Sequence, residues 1–437
     1  MKSHANNTGN RETGESTYAQ VLRIVPFRSL WFGQIFSQIA VNTLLFVLAL
    51  RVYQLTSSNT AVSGLFLAYG IPSVLFGMVA GTLVDHLDKR RVLMLCDATR
   101  AVFVIALLFL SQNVLVIYVL TFCNAVVTQL YVPSEGPTIP QLVPGHLLVS
   151  ANSLFSFTFY SSLAVGSILA GPLLRWFGPQ GIFLLIAAFY LIAAWNVSRL
   201  PPQNKGALGF YHILNYEPRR LFIRVWRELI DGIRYVSQSP KLFDSLFLLT
   251  GTQIILVLLA SLGPGFADKV LGIDVRDASL YMVGPAVLGI VLGAIWVGTV
   301  GYRYSAQKLI RTGVLAAGII LLVISLAVRL HRIPQFEWFL APSVILPFGF
   351  VMFFLLGVAN SFLDVPANTM LQEEAQGSMR GRVYGMLTAF VGGVGILPVV
   401  LGGILADVIG VGKVVFALGI GVVAYGLWRV RYNRRNT

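Results

Sequence analysis

Asp97 and Arg100 stand three residues apart in CDATRAVFVIALLFL, and everything after the arginine in that run is apolar. On a helix this spacing puts carboxylate and guanidinium on one face, within ion-pairing reach. A lone charge among apolar residues is costly, so the two are expected to pair locally. A second constellation lies just upstream, in GTLVDHLDKRRVL, residues 81–93. Gly77 and Gly81 let helices approach closely. Asp85 offers a carboxylate at the edge of the apolar segment, and Lys89, Arg90 and Arg91 supply a compact positive run that suits an anionic membrane surface. Together these residues have the chemistry of a latch. RGRVYG supplies two further cations, Arg380 and Arg382, at the start of a late apolar run. A mere topology anchor would explain the positive run but would not require Gly81 and Asp85 at that spacing.

Three further acids, Glu135, Asp268 and Asp364, fall near the ends of apolar runs and are the candidates for binding and releasing a proton. None lies mid-run. Uncharged polar side chains inside apolar runs are the candidates for a ligand cavity. Gln34, Gln38 and Asn42 recur at four-residue spacing, on one helical face. Gln129, Asn152, Gln253 and Asn360 extend the set, and Phe155 and Phe159, with Tyr160 beside them, could add an aromatic wall. Interhelical hydrogen bonding is the competing use of each Asn or Gln.

Other chemistries lack their residues. There is no phosphate-binding GxxxxGK[ST] loop, no HExxH and no GxSxG, and the five histidines are scattered. Cys96 and Cys123 both fall in apolar runs, so neither a disulfide framework nor a metal site is expected. The reading is therefore a non-enzyme without a cofactor, and ATP could drive it only through a separate subunit.

The elements that must position these residues are set by the solvent. The chain has 437 residues, 56% hydrophobic and 11% charged, with mean hydropathy +0.76. So little charge cannot cover a water-facing surface of this size, which leaves lipid. The net charge of +14 would suggest nucleic acid on a soluble protein. Here the cations lie between apolar segments, where they orient a membrane protein, and no nucleic acid is expected. Runs long enough to cross a bilayer fall near 30–53, 60–83, 92–111, 113–133, 150–174, 180–199, 242–267, 279–299, 308–328, 342–364, 383–406 and 413–430. With the N-terminus inside, about 24 Lys and Arg fall in cytoplasmic segments against about 7 outside, which places both termini in the cytoplasm.

The expected organisation is all-α. It comprises a cytoplasmic tail (1–28), a six-helix half (29–199), a linker (200–240), a second six-helix half (241–430) and a short tail (431–437). Phe222, Val225, Trp226, Leu229, Ile230 and Ile233 give the linker a basic amphipathic helix lying on the membrane surface. The halves look duplicated. VPSEGPTIPQL (132–142) compares with VPANTMLQEE (365–374), and Gly171 and Gly178 compare with Gly403 and Gly410, at an offset of about 232 residues.

The Gly81–Leu93 segment resembles the loop signature of the major facilitator superfamily. His86 stands where arginine is usual, and the equivalent loop of the second half, GTVGYR (298–303), lacks the acid. IPQLVPGHLLVSANSL (139–154), RGRVYG (380–385) and GGILADVIG (402–410) add a resemblance to the drug-exporter branch that includes macrolide-efflux and siderophore-export proteins. The resemblance covers about residues 28–430. It implies twelve transmembrane helices in two pseudo-symmetric halves, alternating access, and a bacterial inner or plasma membrane. It also implies monomeric export of hydrophobic or amphipathic small molecules by proton antiport, with the Gly81–Leu93 loop closing the inner side against the start of the eleventh span, where a helix N-terminus with Arg380 and Arg382 beside it would be its natural partner. Alternatives on the same fold are a lipid or lysolipid transporter and a non-transporting receptor or scaffold. Members of this branch often carry an acid in the middle of the first span. Here that place holds Asn42, which can hydrogen-bond but cannot carry a proton.

Overall fold

The computed structural model describes residues 17–84, 87–202, 230, 234–330, 342–375, 383, 386, 387 and 390–435. Asp85, His86, Arg380 and Arg382 lie outside the described residues, as does nearly all of the expected amphipathic linker helix.

Everything long is helical. A short α1 (Thr17–Arg23) leads into α2 (Val25–Thr56), followed by α3 (Asn59–Val84), α4 (Lys89–Leu110), α5 (Val114–Glu135), a single turn α6 (Ile139–Leu142) and the long α7 (Leu148–Ser198). The second half holds α8 (Pro240–Phe266), α9 (Gly284–Thr299), α10 (Ala306–Leu330), α11 (Pro342–Glu374), α12 (Ile396–Ile409) and α13 (Val411–Arg435). Among the described residues, eleven helical stretches are long and apolar enough to cross a membrane. One of them, Gly145–Ser198, has 54 residues, which at about 1.5 Å each is far more than one crossing requires. It breaks at Gly178, whose φ of 69° only glycine adopts readily, so α7 makes two crossings and the total is twelve. Gly410, 232 residues later, ends α12 at φ 95°. The duplicated glycines thus turn the chain at equivalent places in the two halves.

Start signals are local and legible. Asp88, Asn113 and Ser239 cap α4, α5 and α8, their side-chain oxygens accepting from the backbone N–H of Arg90 (3.1 Å), Leu115 (2.9 Å) and Leu242 (3.3 Å). Large apolar side chains such as Phe109, Val149, Trp176 and Val408 point outward, as lipid permits and water would not.

Each half has its own apolar core. One core joins α2, α3, α4, α5 and α7 around Leu48, Leu107, Phe183 and Tyr190, and a second lies around Phe27, Leu93, Tyr131 and Phe155. The other half is centred on Leu262, Phe266, Leu321 and Val415, and on Leu249, Ile310 and Leu371. Helix spacing is set by glycine. A Cβ added at Gly357 on α11 would strike the Ala286 carbonyl oxygen, and one at Gly289 on α9 would strike the Phe354 carbonyl oxygen. The two helices are therefore in backbone contact. Gly357→Ala must push α9 and α11 apart, at a cost of about 1–3 kcal/mol. The expected result is a lower thermal midpoint of the purified protein, whereas Gly421→Ala, where a Cβ meets nothing within 4 Å, should leave it unchanged.

Candidate functional site

α2 begins and α13 ends on one face of the bundle, here termed the terminal face. The turns at Ser57, Gly178, Gly272 and Gly410 mark the opposite face. Between the halves lies a cavity of about 910 Å³. Leu45 of α2, Ser63 to Gly77 of α3, and Gln129, Val132 and Pro133 of α5 form one wall. Gln253, Ile254 and Val257 of α8 and several residues between Leu387 and Val400 form the other. Among the described lining residues none is charged, and most are apolar. Gln129 and Gln253 face this space from opposite halves. Such a chamber suits a largely apolar molecule with a few neutral hydrogen-bonding groups.

Toward the opposite face the halves close on one another. Asp407 of α12 accepts five hydrogen bonds from the start of α3: from Ser58 Oγ (2.6 Å), the Asn59 backbone (2.8 Å), Asn59 Nδ2 (2.9 Å), the Thr60 backbone (2.9 Å) and Thr60 Oγ1 (2.7 Å). The carboxylate is a helix N-cap supplied by the other half. The repeat partner of Asp407, 232 residues earlier, is Arg175, and it also reaches across, to Asp277 at 3.0 Å. Tyr53 Oη donates to Asp268 (2.9 Å), and Ser63 Oγ lies 3.5 Å from Ser261 Oγ. Small residues make the fit. A Cβ at Gly265 would strike Asn59, one at Gly403 would strike Ser63, and one at Gly171 would strike the Arg276 carbonyl.

A second polar assembly is enclosed within the first half. Asp97 is fully buried and lies 3.3 Å from Arg100, which is almost fully buried. Ser37 Oγ donates to Asp97 at 2.8 Å, and Arg100 Nη1 donates to Ser37 at 3.2 Å. The guanidinium lies 4.6 Å from the ring centroid of Tyr131 and 5.7 Å from that of Tyr190. Glu135, at the terminal-face end of α5, is within electrostatic reach of both Asp97 and Arg100.

The residues singled out from sequence are distributed as follows. Gly77, Gln129 and Gln253 line the cavity. Gln34 is buried within the first half, its Nε2 3.4 Å from the Phe155 carbonyl oxygen, and Phe155 packs at 5.6 Å on Phe27. Asn42 donates to the Gln38 carbonyl one turn back and abuts Gly166 of α7. Gln38 is half-buried on α2, and Asn360 is half-buried on α11. Asn152 and Phe159 are exposed on α7. Asp268 is exposed at the opposite face on Tyr53, and Asp364 accepts from Asn368 (3.2 Å) while its Oδ1 is enclosed without a partner. In the basic loop, Arg90 donates to the Ser198 carbonyl, Arg91 lies 3.5 Å from Asp88 and Lys89 is half-buried. Sequence reasoning missed Asp407 and the tyrosines around Arg100. The repeat offset applied to Arg175 was the signal that could have found Asp407.

A family model described as Major Facilitator Superfamily matches residues 30–397. The chain is 26% identical over 402 residues to the multidrug efflux pump Tap of Mycolicibacterium fortuitum, covering 87% of this chain and 90% of that one. It is 24% identical over 349 residues to the lysophospholipid transporter LplT of Klebsiella pneumoniae (strain 342), covering 79% and 80%. Its fold matches the crystal structure of a bacterial homologue of the human lysosomal transporter Spinster with a TM-score of 0.66 and 14% identity, over 96% of this chain and 98% of the other.

Proposed function

This chain belongs to the Major Facilitator Superfamily and is a membrane transporter, and from that premise we propose that it exports hydrophobic or amphipathic small molecules by alternating access, in exchange for protons. The observation that carries the reading is the 910 Å³ chamber between the halves, uncharged among its described lining residues, with Gln129 and Gln253 lining it from opposite halves. A molecule that partitions into such a site gains by burying apolar surface, and two amides orient its few polar groups. Similarity to the efflux pump Tap supports this substrate class.

In this reading the terminal face is cytoplasmic and the chamber takes its cargo from the inner side or the inner leaflet. The Asp407 and Arg175 contacts hold the outer side closed. The Gly81–Leu93 loop closes the inner side in the alternate state, with Asp85 as its key carboxylate. A lysolipid is the second reading. The apolar walls of the chamber suit an acyl chain, and similarity to LplT supports it.

The test is accumulation of a panel of cationic dyes, macrolides and a labelled lysophospholipid in efflux-deficient bacteria expressing the chain, with and without a protonophore. Lower dye or macrolide accumulation is expected, restored by the protonophore and abolished by Asp85→Asn with the protein still in the membrane. A response confined to the lysophospholipid would move the assignment to the second reading. No response across the panel would remove both, and wild-type export by the Asp85→Asn protein would remove the gating role.

A further inference from the structure

The assembly around Arg100 has a charge count that packing alone does not explain. Two carboxylates, Asp97 and Glu135, face one guanidinium inside the first half. With both acids ionised the centre carries one uncompensated negative charge, which is costly in a low-dielectric interior. A single bound proton makes it neutral. The surrounding groups agree with a site that holds something more than a salt bridge. Asp97 Oδ2 and Arg100 Nε are enclosed, belong to residues at least 98% buried and have no hydrogen-bond partner, while Tyr131, between the Ser37 hydroxyl and Glu135, and Tyr190, beside Asn124, close the rest of the centre. Buried polar groups almost always find partners, so an unpartnered carboxylate oxygen beside an unpartnered guanidinium N–H marks a place suited to a proton or a water.

The centre is also connected. Tyr69 of α3 lines the 910 Å³ cavity and also a water-sized void between α2, α3, α4 and α5, which the unpartnered Thr121 Oγ1 faces. The same tyrosine is within electrostatic reach of Arg100 and Tyr190. On the other side Glu135 is only half-buried and follows the cavity-lining Val132 and Pro133 on α5.

We propose that Asp97, Arg100 and Glu135 form a proton-binding centre inside the first half, in which one proton is shared between the two carboxylates and Tyr69 links the centre to the substrate cavity. This deepens the proton-exchange reading above and rests on it for its role in transport. The described charged and titratable groups that face the centre are Arg100, Asp97 and Cys96 on α4, Tyr131 and Glu135 on α5, Tyr190 on α7 and Tyr69 on α3, with the Ser37 hydroxyl on α2. Arg100 is the only cation among them. Glu135, as the wetter acid, is the entry point, and Asp97 keeps its bonds to Ser37 and Arg100 in both states.

The experiment is infrared difference spectroscopy of the reconstituted full-length protein while buffer pH is cycled, in H2O and D2O, without any substrate. One protonated-carboxyl C=O band should appear on acidification and shift in D2O. Glu135→Gln should abolish it, Asp97→Asn should displace its titration, and Asp268→Asn should leave it intact. Persistence of the band unchanged in both Glu135→Gln and Asp97→Asn would overturn the proposal, as would a wild-type spectrum with no such band. Fluorescence-detected size exclusion confirms that each variant is folded. Because the readout needs no cargo, a titrating band without export in the cell assay would sustain the centre while removing the exporter reading. Export without the band would do the reverse.

Discussion

Arg100→Ala should destabilise the protein by about 3–5 kcal/mol, because it strands the Asp97 carboxylate without its counter-ion in a fully buried place. The loss is larger than that of an ordinary surface pair. Arg100 also neutralises Glu135 and stacks against Tyr131, so its removal leaves two acids with no cation between them. By the usual scaling for chains of a few hundred residues, the thermal midpoint of the purified protein should fall by about 10 °C. The double variant Asp97→Asn, Arg100→Gln should recover most of that loss, since a neutral hydrogen-bonded pair replaces the ionic one and Glu135 can hold a proton alone. A single variant as stable as wild type would show that the buried charges are not paired as described. A double variant as unstable as the single would shift the cost from charge to packing.

Removing the two struts on the opposite face should change the conformational equilibrium rather than the fold. Asp407 accepts five hydrogen bonds from α3, and Arg175 bridges to Asp277. Both sites face solvent, so each bond contributes well below its buried value. The sum for Asp407→Ala with Arg175→Ala is about 3 kcal/mol, on the order of a hundredfold in the closed-to-open ratio. The contacts within each half do not involve these side chains, so thermal stability should change little. Spin labels on Thr56→Cys and Lys413→Cys, exposed on either side of the closure, report it once Cys96 and Cys123 are replaced by alanine. The protein with both struts should give one short distance, and the strut-less variant should gain a longer population. An unchanged distance distribution would show that the glycine and serine layer below, around Gly403, Ser63 and Ser261, closes this face unaided.

The two struts also show how duplication was used. Arg175 and Asp407 occupy equivalent places at the same offset, carry opposite charges, and each crosses to the other half near the start of the next repeat's second crossing. One ends on an acid, the other on a helix N-terminus and its hydroxyls. At this pair of positions geometry was retained across the repeat while chemistry diverged.

The solvent, the helical class, the twelve crossings and the duplication were legible in the sequence, because each follows from short-range patterns. About twenty apolar residues span a bilayer whatever their neighbours are, and a glycine that must take positive φ marks a turn wherever it occurs. The pairing of Asp97 with Arg100 was legible for the same reason, since three residues on a helix fix the distance.

Only the tertiary structure decided which polar groups meet. Gln34 and Gln129 look alike in sequence, yet one turns to the Phe155 carbonyl inside its own half and the other to the central cavity. A helix's rotation is set by the helices packed on it, and a transmembrane helix with small residues on several sides does not announce which side is which. Asp407 read as an acid near a helix end, and its five donors come from residues almost 350 positions away. Glu135 joined the Asp97–Arg100 pair only because α5 and α4 pack side by side. Apolar pattern alone put this chain in the membrane as twelve helices. Long-range packing, through contacts too distant in sequence to leave a local pattern, chose which residues face the cavity, which join the two halves at one face and which charges are enclosed together.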